Sequence, residues 1–255
     1  MTDGPTDDLI PTSDPAAIEL LFAIRGGDIG TIRRLTGEHP DLPGWRIGDR
    51  KGSRTPLHMV TDWPGYFPRG AEIARLLIDA GADPNGPPAG PGEPEPETPL
   101  HWAASSDDVA VAAALIDGGA DIEAHSSGPI AGPPLVNAVA YGCWQVARLL
   151  VARGAQIGGL WQAAALGDQA RADEFLSADP APSQHDLDEA FWQACHGGQR
   201  RMAEHLLGLG ADLNGTPSWG EDTPLEAADG LDTAREALVE WLRSRGAKKS
   251  AKPPT

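Results

Sequence analysis

The chain has 255 residues and a formal net charge of -17, with 37 acidic against 20 basic side chains. That balance argues against nonspecific binding to nucleic acid or to an anionic membrane surface, because like charges repel. No apolar run approaches the ~20 residues of a spanning helix. The acidic, Pro-rich start MTDGPTDDLIPTSDP lacks the positive segment and apolar core of a secretion signal, so with only Cys143 and Cys195 present the expected setting is a reducing cytoplasm.

Residues 1–15 lack hydrophobic periodicity and are expected to be disordered. A first helix pair spans about Ile18 to Glu38 and turns at Gly26-Gly27-Asp28, with no strong cap at its start. His39 to Arg54 reads as a projecting loop, locally basic through Arg46, Arg50, Lys51 and Arg54. A second pair begins at Thr55. Its two helices are separated by five residues more than elsewhere, in or near Trp63-Pro64-Gly65-Tyr66-Phe67-Pro68. The following loop, Asp83 to Glu97, carries Pro84, Pro87, Pro88, Pro91, Pro94 and Pro96 and is expected to be an extended spacer.

The third pair, Thr98 to Asp121, is the clearest. Thr98 supplies an N-cap and Pro99 suits the next position, which needs no amide hydrogen. Leu100, Ala103 and Ala104 then share one face. A second helix follows Asp107, turns Val109, Ala112, Ala113, Leu115 and Ile116 inward, and stops at Gly118-Gly119. Such a pair cannot bury its apolar surface alone, so further copies are required. Leu100 falls in register with Leu20, Leu57, Leu135, Leu160, Phe191 and Leu225. Leu115 does so with Leu35, Leu77, Leu150, Phe175, Leu206 and Leu242, which gives seven copies.

TPLH at Thr55–His58 and Thr98–His101, TPLE at Thr223–Glu226, and GAD at Gly81, Gly119 and Gly210 resemble ankyrin repeats, over roughly Ile18 to Ala247. The chain is similar to a bacterial-type ankyrin repeat protein of about seven repeats. The resemblance implies an all-α solenoid of stacked helix-turn-helix units with projecting loops, used across the family to bind other proteins. It divides the chain into a disordered segment 1–15, a repeat domain 16–247 and a basic tail 248–255. Val136, Trp161 and Trp192 replace the His of TPLH, so bulky apolar packing is expected to stand in for the polar tie of His58 and His101 to neighbouring backbone.

No paired carboxylates, metal spacing, nucleophile arrangement or phosphate loop is present that a repeat position does not explain better. Cys195 sits in a small-residue column with Ala104 and Ala164. Cys143 opens a helix whose N-terminus would lower its pKa, but no catalytic partner stands near it in sequence. The reading is therefore a non-catalytic scaffold or adaptor, without cofactor or metal and with a monomer favoured, that binds a partner protein through its concave face and loops. Candidate contacts are Ser105, Ser106 and Tyr141, with Ala140, Ala165, Leu166 and His196, at the ends of the first helices, which the resemblance implies lie at the groove. The aromatic insertion adds Trp63, Tyr66 and Phe67. A stretch from Arg75 to Arg148 contains ten acids and no intervening base, which adds Glu93, Glu95, Glu97, Asp107 and Asp108 as an acidic zone that would steer a basic partner. The alternative is an acidic inhibitor or immunity-like protein that masks a basic enzyme or a nucleic-acid-binding site.

Overall fold

The computed structural model describes residues 9–49, 52–86, 95–128, 130–229 and 235–250. They belong to two compact units, Met1–Gln156 and Ile157–Thr255. Among the described residues the fourteen α-helices fall into seven consecutive pairs. The first unit holds α1 (Pro15–Gly26), α2 (Ile29–Glu38), α3 (Pro56–Thr61), α4 (Gly70–Asp79), α5 (Pro99–Ser106), α6 (Val109–Asp117), α7 (Pro134–Ala140) and α8 (Trp144–Ala152). In it α1, α3, α5 and α7 stack in one layer, and α2, α4, α6 and α8 in another. The second unit holds α9 (Leu160–Leu166), α10 (Gln169–Leu176), α11 (Gln184–His196), α12 (Arg200–Gly208), α13 (Pro224–Ala228) and α14 (Glu236–Ser244), with α11 packed between α9 and α13.

The anchor leucines are the core. Leu20, Leu57, Leu100 and Leu135 are fully buried, as are Leu77, Leu115, Leu150, Phe191, Leu206 and Leu242. Phe175 departs from this rule: it is half-buried, and the Arg171 guanidinium lies 4.4 Å above its ring. Cys195 shares full burial with Ala104 and Ala164, as its column requires.

Four first helices, α1, α3, α5 and α13, start on one formula, a short oxygen-bearing side chain followed by proline. Asp14 caps α1 by accepting from the Ala16 and Ala17 amides at 2.9 and 3.1 Å, so the first pair does have a strong cap, one helical turn earlier than expected. Within each of the first six pairs the chain turns through a left-handed residue. Glycine fills that place at Gly27, Gly142, Gly167 and Gly198, but Arg69 and Asp107 hold it at φ 59° and 57°.

Among the described residues, the mostly helical fold carries one small sheet near its N-terminus. Strands β1 (Leu9–Pro11), β2 (Arg46–Asp49) and β3 (Gly52–Arg54) form a small sheet, β1 parallel and β3 antiparallel to β2. The expectation of disorder across 1–15 therefore fails for 9–14, and the expected loop from His39 to Arg54 is largely a hairpin. Gly48 is required there, since a Cβ would meet the Gly52 carbonyl oxygen at 2.1 Å. Trp45 is buried and donates its indole N–H to Asp41 at 2.9 Å. Residues 1–8, Arg50, Lys51, Pro87, Pro88, Pro91, Glu93, Pro94 and 251–255 of the basic tail lie outside the described residues.

Polar ties join successive pairs at one recurring point, the carbonyl just before the next helix cap. His58 accepts from the Thr55 hydroxyl at Nδ1 (2.8 Å) and donates from Nε2 to the Glu97 carbonyl (3.1 Å). His101 accepts from the Thr98 amide (3.1 Å) and donates to the Gly132 carbonyl (3.0 Å). A carbonyl only accepts, so each ring is the neutral Nε2–H tautomer. Burial enforces that state, pushing His58 down to about 4 and lowering His101. Trp192, at the same position in α11, does more than pack. Its indole N–H donates to the Asp222 carbonyl at 2.7 Å, so the tie survives the replacement of histidine.

Candidate functional site

Three first helices of the Met1–Gln156 unit end on one side, and their ends enclose an open groove of about 240 Å³. Its walls are Thr61 and Asp62 from the end of α3, Trp63 from the insertion, Glu97 before α5, Trp102, Ser105 and Ser106 from α5, and Tyr141 after α7. Trp102 is set by an edge-on contact with the His58 ring, 4.9 Å between centroids. Trp63 and Tyr141 are 81% and 56% exposed, large apolar surfaces that folding leaves in water.

The Ser and Thr hydroxyls of this groove point their protons backward. Ser105 donates to the His101 carbonyl at 3.0 Å, Ser106 to that of Trp102 at 3.2 Å, and Thr61 to that of His58 at 3.1 Å. Such bonds to the preceding turn are ordinary for Ser and Thr inside helices. Their consequence is that the oxygens offer lone pairs to the groove. Asp62 accepts from Arg54 at 2.5 Å and from the Trp63 amide at 3.0 Å, with Arg25 at 3.9 Å. Glu97 accepts at Oε1 from the buried Asn137 amide at 2.9 Å.

The insertion is pinned from behind by the third pair. The Tyr66 amide donates to Asp108 at 2.9 Å, the Tyr66 hydroxyl donates to the Asp107 carbonyl, and Gly65 lies against Ser106. Tyr66 itself holds a left-handed φ of 56°. Burial and then the charges of Asp107 and Asp108 raise its phenol pKa. The loop backbone is thus fixed while Trp63 projects.

The structure therefore brings together Trp63, Glu97, Ser105, Ser106 and Tyr141 from the sequence candidates. Tyr66 is exposed and Phe67 half-buried in the same insertion, and neither lines the groove. Asp107 and Asp108 do not line it either. Asp108 is 3% exposed and caps α6 through the Val111 amide at 3.1 Å, while Asp107 accepts from the Val146 amide at 2.8 Å. Glu95 lies apart, 3.0 Å from His125. Glu93 lies outside the described residues. Ala165, Leu166 and His196 belong to the other unit. Sequence reasoning missed Trp102, although Trp102, Ser105 and Ser106 at i, i+3 and i+4 mark one helix face.

Cys143 corrects another expectation. Burial, followed by the charge of Asp107, pushes its thiol up to about 11, so the helix N-terminus does not prevail and the thiol stays protonated at neutral pH. Burial likewise raises Cys195. Among the described residues no group of three or more His, Cys, Asp or Glu could hold a metal ion, and no helix is long and apolar enough to cross a membrane.

Residues 69–158 match the family model for ankyrin repeats, in three copies. No curated protein matches the sequence. Among solved structures, the human ASB11 ankyrin repeat domain is similar at 19% identity, over 92% of this chain and 99% of that chain, with a TM-score of 0.52. The chain therefore folds as an ankyrin-repeat domain, a mostly helical array of stacked helix pairs with a small N-terminal sheet.

Proposed function

We propose that all seven helix pairs are ankyrin repeats and that the chain is a non-catalytic interaction module, monomeric, which grips a partner protein through the groove at the ends of α3, α5 and α7. The observation that carries this reading is the convergence of Trp63, Trp102 and Tyr141 on one open groove whose backbone is rigidly tied. Aromatic anchors in such a setting are common hot spots of binding energy. The acidic-inhibitor reading draws less support, because several of its carboxylates serve the fold. Asp107 and Asp108 hold backbone amides, Asp117 pairs with Arg153 at 2.6 Å, and Glu123 accepts from the Gln156 amide at 2.8 Å.

Affinity capture from native cells, read by quantitative mass spectrometry, tests the proposal. Parent protein is expected to retain a partner that Trp63→Ala and Tyr141→Ala both release, with thermal midpoints unchanged because both side chains are exposed. Equal recovery on parent and both variants would remove the groove from consideration.

A further inference from the structure

We infer that the groove takes an arginine side chain presented by a segment of the partner, a deepening that rests on the groove reading above. Three features of the lining select this occupant. First, apart from the Tyr141 phenol at its edge, the oxygens of the lining present acceptors: Asp62 and Glu97 are carboxylates, and Thr61, Ser105 and Ser106 have already donated their protons to their own helices. A guanidinium is the complementary group, with five N–H donors and no acceptor. Second, the remaining walls are the aromatic rings of Trp63, Trp102 and Tyr141, and a planar, weakly hydrated cation stacks on such faces better than a compact ammonium does.

Third, charge favours a cation and leaves one carboxylate available for it. Among the described residues no Lys or Arg lines the groove, and the chain between Arg75 and Arg148, which supplies α5, α6 and α7, has none to compete. Asp62 already holds the Arg54 guanidinium at 2.5 Å, which shows the same pairing at the rim. Glu97 is different. The Asn137 amide takes its Oε1, and among the described residues nothing takes Oε2. Glu97 is therefore the counter-ion for the incoming arginine, with the rings as its sides.

The probe is N-acetyl-arginine-methylamide, titrated into the full chain and read by NMR at the indole N–H signals of Trp63 and Trp102. The citrulline analogue, neutral and nearly isosteric, and the lysine analogue are the controls. The arginine probe is expected to shift both signals along a saturating curve, with affinity reduced about tenfold or more for citrulline, since charge-assisted hydrogen bonds are lost. Glu97→Gln and Tyr141→Ala are expected to abolish the preference for arginine over citrulline, with far-UV circular dichroism confirming the fold. Non-saturating shifts, an equal response to citrulline, or an equal response to lysine would each overturn the arginine assignment. The capture experiment stands apart from this one: if Trp63→Ala and Tyr141→Ala release a partner while the probe shows no arginine preference, only the present inference falls.

Discussion

The same joint is built with different chemistry in the two units. In Met1–Gln156 the side chain that reaches the next cap is histidine, at His58 and His101. In Ile157–Thr255 it is tryptophan at Trp192. In the last pair, after which the described residues hold no further cap, Glu226 at the same position accepts from the Thr223 amide at 2.8 Å and, beyond the final helix, from the Ser250 amide at 3.1 Å and hydroxyl at 2.8 Å. A tie from this position needs a polar side chain long enough to reach backbone beyond its own helix; Val136 at the same position supplies none, and three residue types supply one. They differ in how protons disturb them, so the comparison is one of pH response at constant geometry.

The largest expected effect ignores the joints and tests the core they connect. Leu100→Ala in the first unit and Phe191→Ala in the second should each cost about 2 to 5 kcal/mol, because buried apolar atoms are lost and a cavity remains. Coincident urea midpoints for parent and either variant would contradict the register.

Next comes the histidine joint. His58 titrates at about 4 in the folded chain against an ordinary 6.5, so the unfolded chain binds more protons between those values. Its contribution is complete above pH 6.5 and is lost as pH falls toward 4, roughly 3 kcal/mol in all. Half-buried His196, pushed down to about 4 by desolvation and then by Arg235, adds a slope of the same sign in the other unit. The measurement is therefore a difference: stability against pH for parent minus His58→Gln, which should fall across this window and flatten below it.

Trp192→Phe should cost about 1 kcal/mol by removing one hydrogen bond while the ring remains. That loss should be the same at pH 7 and pH 5, and a pH-dependent loss would end the contrast with His58.

The smallest effect belongs to Glu226. Burial opposes its charge, but the Thr223 amide and the Ser250 hydroxyl and amide outweigh that and hold it down to about 2, against an ordinary 4.5. Its contribution is present above pH 4.5 and fades as pH falls toward 2, a lower window than that of His58. Glu226→Gln should remove this acid response and lower the neutral thermal midpoint by a small amount, because charge-assisted hydrogen bonds become neutral ones.

The repeat register was legible because it is periodic. Leu57, Leu100 and Leu135 announce themselves through the Thr-Pro or Pro-Pro that precedes them, and their burial follows. The Asp14-Pro15 cap was equally readable by the same rule. Strand β1 was not. Its partner β2 lies far along the chain, and three residues, Leu9–Pro11, carry no period of their own. At the groove, Trp63, Ser105, Ser106 and Tyr141 were legible as an insertion and as helix ends. The role of Asp108 was not, because it depends on the Tyr66 amide, 42 residues away, and charge counting treats a buried capping carboxylate like a free one.

The ties also bear on how the domain can be lengthened. The segments they bracket differ, with partners separated by 39, 31, 30 and 24 residues for His58, His101, Trp192 and Glu226. A tie fixes only the ends of its segment, and closure entropy grows with the logarithm of length, so passing from 31 to 39 residues costs roughly 0.2 kcal/mol. The array is thus tolerant of grafting. New sequence placed within such a segment, away from its helices and caps, would leave the tied ends where they are, which makes these segments the place to append a second recognition element without redesigning the scaffold.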